Sequence, residues 1–438
     1  DFSKYDNIFW KGIFPYVYKE NYIKQRAKKI KQKLNSTDIS NFLFSKTENK
    51  LYIKFANISN PIKISSNCDQ EKSNRIETWI HKSKTILWPN KCEYLTIEAI
   101  NKNFNRVKLF KNPVLSNFLP ENLEDLPALH NLVEGTLIDN DFFPKGKKIK
   151  ISKNTKLPKN INLKIKNNQK IILENGSTLV LYGNLYIYGN KNDKVIIEGV
   201  EPEYGSIISI NNIFDAQNLY VNKLSVPDIK GYTYFAGINI FNSEVKLNNV
   251  TFLNSKSEDT LNLIDSNSTV SNIKFIDSQS DALDIDGGSL NIDNIYCKNI
   301  GNDCLDFSNA SISGKNVFTK NVLDKSISIG EKSKVKMENI NIINSEIGLA
   351  VKDSSVADLS SINIENSKLP FAVFVKKNEY GPAKLNIKNL NLKNGDLKYL
   401  VDNKSQLVID GTTYLGTESG KVIESYLYGN LYGKSTNR

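Results

Sequence analysis

The sequence predicts an all-β fold, a right-handed parallel β-helix of about 22 residues per rung, preceded by a small β-rich or mixed N-terminal domain. Three observations carry this. One phrase recurs in phase from about Asn242 onward. Within each copy, apolar and polar residues alternate with period 2. An asparagine returns to the same place in copy after copy.

The recurrence is plainest in SDALDIDGGSLNIDNIYCKNIGNDCLDFS, Ser280 to Ser308. There Asp281, Leu283 and Asp284 are followed 22 residues later by Asp303, Leu305 and Asp306. Alternating apolar pairs occur at Leu261/Leu263, Leu283/Ile285, Leu305/Phe307, Ile327/Ile329, Leu349/Val351 and Val373/Val375. Their steps are 22, 22, 22, 22 and 24 residues. Alternation of this kind buries one side of each strand. A second series runs through Val245/Leu247, Leu290/Ile292, Val335/Met337, Leu385/Ile387 and Leu407/Ile409.

Asn249, Asn272, Asn294, Asn316, Asn339 and Asn389 follow the second series. Asparagine tolerates left-handed turns, and stacked amides can hydrogen-bond from rung to rung. One such unit cannot bury its own apolar face. Stacking the units with parallel strands about 4.8 Å apart buries all the faces in one column. Helical repeats would need a 3.6-residue period, which is absent. The resulting division is an N-terminal domain over 1–130, the β-helix over 131–414 and a capping tail over 415–438 that covers the last rung.

The chain of 438 residues has 39% hydrophobic content and a net charge of +11. The charge suggests an anionic partner, although a lysine-rich solvated surface produces the same number. No apolar run is long enough for a transmembrane helix. Cys68 and Cys92 are expected to pair if the chain is exported, whereas Cys297 and Cys304 lie near one turn with their bonding open. The start at Asp1 suggests a removed leader or upstream region. The segment YIKQRAKKIKQKL, Tyr22 to Leu34, has one apolar helical face among six Lys and Arg residues. It suits packing on its own domain, a solenoid cap or an anionic surface. A basic helix alone does not indicate nucleic acid, and no such partner is expected.

The phrases SEDTLNLIDS, SDALDID, GNDCLDFS, DKSISIGEKS, GLAVKDSS and KKNEYG resemble the pectate-lyase-like β-helix superfamily. More narrowly, they are similar to bacterial surface β-helix proteins with an Asp-rich column, some attached to spore-coat-kinase-like domains. The resemblance covers about 260 residues. It implies a protein that is extracellular, on the cell surface or periplasmic, acting on polysaccharide. It leaves activity open, because one fold hosts lyases, hydrolases, epimerases and adhesins. The adjacent Asp-Asp pair and the Gly-His-Gly of polygalacturonase-like hydrolases are missing from the repeat, and both His81 and His130 lie outside it.

If Leu283 and Ile285 point inward, Asp284 and Asp286 point outward. One outer column then runs Asn262, Asp284, Asp306, Ser328. A neighbour runs Asp286, Ser308, Gly330, Lys352 and reaches Lys376, and a third holds Asp259, Asp281, Asp303 and Lys325. Stacked carboxylates repel and raise one another's pKa unless neutralised. Calcium held by Asp281, Asp284, Asp303 and Asp306 would neutralise them, as would Lys325 and Lys352, or a retained proton. The candidate catalytic residues are Asp281, Asp284, Asp303 and Asp306 as carboxyl pairs, with Lys325 or Lys352 as the base of a lyase. Asp259, Asn262, Asp286, Lys376 and Tyr380 are candidate substrate contacts. Two readings stay open: an exported protein that binds polysaccharide on this face, with or without cleaving it in a lyase- or hydrolase-like way, and a structural or adhesive protein whose Asp ladder caps turns or holds calcium.

Overall fold

The computed structural model describes residues 123–229, 234–429 and 431–432, and the backbone of seven strands between 42 and 111. The chain forms two compact units, 1–121 with 230–232, and 122–229 with 233–438. In the first unit the strands form two antiparallel sheets. One orders Phe42–Lys46, Lys50–Phe55 and Thr85–Pro89; the other orders Arg75–Ile80, Ile62–Asn67, Leu95–Ile100 and Arg106–Lys111. The basic segment 22–34 and the Cys68/Cys92 pairing lie outside the described residues.

The second unit is the right-handed parallel β-helix. Its ladder begins at Lys148–Ile151, which pairs in parallel with Lys170–Leu173 one rung later. A hairpin of Gly135–Ile138 and Asp141–Pro144 precedes it, and Asp141 already lies beside Asn162 in parallel register. Rungs follow one another in step: Leu261, Leu283, Leu305, Ile327 and Leu349 are successive register partners. All five are essentially excluded from solvent. Inside, Phe252 and Phe275 stack at 4.8 Å between centroids, one rung spacing apart.

The corners explain the asparagines. Asn249, Asn272, Asn294, Asn316, Asn339 and Asn389 all have positive φ, from 54 to 69°, and Ser361 stands at φ 55° between the last two. A second corner stack went unread in the sequence: Asn254, Asp277, Asn299, Asn321, Asn344, Asn366 and Asn394 are also left-handed. Their amides bond rung to rung, Asn299 to Asp277 at 2.8 Å, Asn321 to Asn299 at 2.9 Å and Asn344 to Asn321 at 3.0 Å. Each amide thus uses its donor on one neighbour and its acceptor on the other.

Cys297 and Cys304 form a disulfide across the corner that precedes Asp306. One rung on, the equivalent pair is Thr319 and Ser326, joined by a 2.9 Å hydroxyl hydrogen bond.

Two expectations need correcting. The final step of the apolar series is 22 residues, not 24, because Leu349 pairs with Phe371 and Val351 with Val373. Lys352 therefore stands beside Phe374, and Lys376 falls beyond the strand in the following loop. The tail meets only part of the last rung, where Leu400 packs with the tail helix and the Asn403 amide donates to the Glu418 carbonyl at 2.8 Å, and the edge at 406–409 is met by another strand. That edge is closed by Thr412–Tyr414 pairing antiparallel with Gln406–Ile409. The tail instead forms the helix Gly420–Leu427, whose Ile423 and Leu427 pack on Ile347, Ala350, Leu369, Ala372 and Phe374 on the outer face. A helix with one apolar stripe needs an apolar platform, and these late rungs present one.

Candidate active site

The outer face carries a column that can be followed rung by rung: Val180, Ile208, Asn239, Asn262, Asp284, Asp306, Ser328, Ala350, Ala372 and Leu400. Its two ends are apolar and covered. Leu123, Leu126 and Ile229 pack with Val180 and Ile208 at one end, while the C-terminal helix covers Ala350 and Ala372 at the other. Between them lies a polar window from Asn239 to Ser328, in which Asn239, Asn262 and Ser328 are buried and Asp284 and Asp306 are half-buried. An apolar outer face needs a cover to leave water, so the point where the covers stop marks the surface left for a ligand.

Most of the predicted site residues meet in this window. Asp259 and Asp281 are register partners beside the main column, and Asp303 continues that line. The Asp303 amide donates to Asp281 Oδ1 at 2.8 Å, and the Lys325 amide to Asp303 Oδ1 at 2.9 Å. These two carboxylates therefore cap the backbone of the next rung, 22 residues on, whereas the turn-capping alternative had each Asp cap its own turn. Asn262 donates through Nδ2 towards Asp284 at 3.2 Å, Asp259 at 3.4 Å and Asp286 at 3.5 Å. Asp284 and Asp306 are half-buried and Asp286 is exposed, whereas Asp259, Asn262, Asp281 and Asp303 are buried.

The lysines are held, not free. Lys325 is 3% exposed and lies 2.6 Å from Asp324 Oδ2 and 3.4 Å from Asp303 Oδ1. Burial pulls its pKa down, but the two carboxylates outweigh that and hold it well above the usual lysine range. Lys352 lays its chain back along Gly330 and donates to Ser328 Oγ at 2.9 Å. A Cβ at Gly330 would stand 3.4 Å from Lys352 Cε, an ordinary van der Waals contact with the lysine chain. Burial lowers Lys352 and the Asp306 charge raises it, with a net rise.

The carboxyls shift the other way. Burial, helped by Asp306, pushes Asp284 up to about 10; burial pushes Asp259 up to about 7, and burial with Asp303 takes Asp281 to about 8. Burial also raises Asp303 against the pull of Lys325, and raises Asp286 with help from Asp306, Glu331 and Asp265. The window thus pairs a carboxyl that keeps its proton, Asp284, with a register neighbour, Asp306, one rung away.

Lys376 and Tyr380 stand at the border. Lys376 donates to Tyr428 Oη at 3.1 Å and lies 4.4 Å from that ring's centroid. Tyr428, at the end of the C-terminal helix, also lies 5.3 Å from Lys325 Nζ. Tyr380 sits beneath Lys332, 5.7 Å from its ring, beside the paired Lys377 and Glu331. Tyr428 was missed from the sequence, since nothing in an aromatic tail a hundred residues downstream points to one rung. Asp324, in contrast, was readable as the neighbour of Lys325.

Of the four carboxylates expected to hold calcium, Asp281 and Asp303 are partly engaged within the chain. Among the described residues, no group of three or more His, Cys, Asp or Glu side chains is arranged to hold a metal ion. Asp281 and Asp303 have committed oxygens to backbone amides and Lys325. An open groove of about 850 Å³ runs elsewhere, along the second strand series, lined by Lys246, Asn267, Thr269, Asn291, Ser313 and Lys336. Its charged residues are all exposed, so it lacks the buried carboxyl that acid–base chemistry needs.

No protein-family model matches the chain, and no curated protein matches it. Solved structures with some likeness include the catalytic domain of a GH87 alpha-1,3-glucanase in complex with nigerose, with 12% identity, 84% of this chain, 91% of that chain and a TM-score of 0.34. Another is a Yersinia enterocolitica family 28 exopolygalacturonase, with 9% identity over 84% and 98% of the two chains and a TM-score of 0.33. A third is an alginate lyase from Paenibacillus, with 9% identity over 53% and 91% and a TM-score of 0.31. Likenesses this distant decide nothing about the reaction; the fold rests on the register itself.

Proposed function

We propose that this protein binds polysaccharide along the polar window and hydrolyses a glycosidic bond there, with Asp284 as general acid and Asp306 as the opposing carboxylate. The single observation that carries the proposal is the break in the outer column. It is apolar and covered at both ends, and in the uncovered stretch between them two carboxyls stand on adjacent rungs. Adjacent rungs lie about 4.8 Å apart, close to the roughly 5 Å between the carboxyl groups of retaining glycosidases. Asp284 keeps its proton at neutral pH and can donate it to the departing glycosidic oxygen. Asp306 attacks the anomeric carbon as that bond breaks, forming a glycosyl ester. Water then hydrolyses the ester, giving its proton back to Asp284.

A lyase reading would need a neutral lysine as base. Lys325 and Lys352 are both held in the charged form, so they are better suited to stabilising Asp303 and Asp306. No step is assigned to calcium. The Cys297–Cys304 disulfide supports an exported protein, since such bonds persist in oxidising compartments. Among the described residues no helix is long and apolar enough to cross a membrane.

The test is chromatography of acidic, neutral and amino polysaccharides after incubation with the protein, reading chain length and ultraviolet absorbance of unsaturated ends. Shortened chains without that absorbance are expected, and Asp306→Asn should abolish shortening while leaving circular dichroism unchanged. Absorbing products would replace the hydrolase by a lyase. Intact chains throughout would leave the ladder as architecture.

A further inference from the structure

We propose that the groove along the second strand series is a second, non-catalytic glycan-binding surface, separate from the window, and that it takes a neutral polysaccharide chain lying along the solenoid axis. Its floor is built from outward side chains in register. One column runs Lys246, Thr269, Asn291, Ser313, Lys336 and Asp358, and its neighbour runs Glu244, Asn267, Ser289, Ser311 and Lys334. Six rungs extend about 24 Å. Three consecutive rungs in the middle carry only hydroxyls and amides: Asn267 with Thr269, Ser289 with Asn291, and Ser311 with Ser313. Ser289 is half-buried and donates to Asn267 Oδ1 at 3.0 Å, and the other five are exposed. Charge returns only at the ends, with the Glu244–Lys246 pair at 2.6 Å on one side and Lys334, Lys336 and Asp358 on the other. Beside the floor, Asp293 and Lys315 are register partners of opposite charge.

The concavity has an identifiable cause. The inward column beneath reads Val270, Ile292, Gly314, Met337 and Leu359, so Gly314 stands where the other rungs have a larger apolar side chain. A Cβ there would lie 2.5 Å from Ile292 Cβ, so the strand sits against the rung before it. A further hollow of about 610 Å³, lined by Gly314, shares Ser313, Lys336 and Asp358 with the groove and carries it on to Asn386 and Lys388.

A second observation points to sugar. Two rungs upstream, the same face carries an aromatic pair: Tyr186 precedes Asp215 and Lys246, and Tyr188 precedes Gln217 and Asn248. The Lys164 ammonium lies 3.6 Å over the Tyr186 ring, which leaves Tyr188 as the open one. Tyr188 is 48% exposed, the most exposed tyrosine among the described residues. An open aromatic ring next to hydroxyls and amides offers apolar contact and hydrogen bonds together, as a sugar ring requires. A peptide strand has no edge to join, because the backbone of these strands is paired in parallel on both sides. What the floor offers instead are groups that both donate and accept, repeated at a spacing comparable to one saccharide unit. An acidic chain would find cations concentrated at one end, beside Asp358, and a carboxylate at the other.

The experiment is calorimetric titration of the full chain carrying Asp306→Asn, so that no hexamer is consumed, with cellohexaose, laminarihexaose, xylohexaose, mannohexaose and hexagalacturonate. A neutral hexamer should bind more tightly than hexagalacturonate. Adding Asn291→Ala with Ser313→Ala should weaken that binding about 10-fold, and adding Tyr188→Ala about 3-fold. Circular dichroism should stay unchanged, because all three side chains are exposed. Adding Asp286→Asn, in the window, should leave the affinity as it was. Binding lost with Asp286→Asn but kept in the groove variants assigns the saccharide to the window; it overturns the second surface and leaves the hydrolase reading standing. Tighter binding of hexagalacturonate overturns the neutral-glycan inference, and so does failure of every neutral hexamer to bind.

Discussion

Replacing Asp284 with asparagine should make this protein more stable at neutral pH while removing its activity. In the folded chain Asp284 titrates at about 10, pushed up by burial and by Asp306. In the unfolded chain it titrates near 3.9. Between those values the folded state holds a proton that the unfolded state has released. Stability from this group is therefore fully present below about pH 4 and is lost as pH rises towards the folded value. The slope is about 1.4 kcal/mol per pH unit while one proton separates the two states, or about 4 kcal/mol between pH 5 and pH 8. Asparagine keeps the shape and cannot ionise, so the variant escapes the loss. Guanidinium denaturation of both proteins from pH 5 to pH 8 measures it. The curves should diverge with rising pH, the variant becoming the more stable. Parallel curves would show that Asp284 is ionised in the native state, and the general-acid assignment would fall with it.

Other expectations follow from the same contacts. Lys325→Met leaves Asp303 and Asp324 buried without their cation and should cost about 3–5 kcal/mol in denaturant melts; a loss under 1 kcal/mol would mean that the pair is solvated. Reducing Cys297–Cys304 should lower stability by about 2 kcal/mol, read as a fall in Tm on adding a thiol reductant. Chelation with EDTA should change neither Tm nor saccharide binding if Asp284 and Asp306 act without a metal; a fall of several degrees would assign them to one. Tyr428→Ala should weaken saccharide binding several-fold while leaving the Tm within a few degrees, because the ring is 42% exposed at the border of the window.

The solenoid was legible because its physics is repetitive. Inward alternation at Leu283/Ile285 and Leu305/Phe307 had to be paired in register, since a slip of one residue would turn Asp284 and Asp306 inward. The Asn249 to Asn389 corners were legible as left-handed turns for the same reason. The second stack from Asn254 to Asn394 escaped because Asp277 interrupts the residue type while preserving the conformation. The last rung was misread because Phe371, Val373 and Val375 all continue the alternation, so sequence spacing allowed two registers and pairing chose one. Of the site, the carboxylates were visible because they repeat. Their burial was not, because the spacing puts a side chain on a face without saying how deep it sits there. Tyr428 escaped because it belongs to a distant part of the chain.

The rung-by-rung register of the outer column makes the protein a ruler as well as a scaffold. Successive outward side chains repeat at about 4.8 Å, a spacing comparable to the length of one saccharide unit. A glycan lying parallel to the solenoid axis would meet a new side chain of the same column with each sugar. Asp284 and Asp306, the two partly exposed members of the column, would then each address one monomer. On the proposed reading, the apolar covers at the two ends would bound the length of glycan in contact with the column.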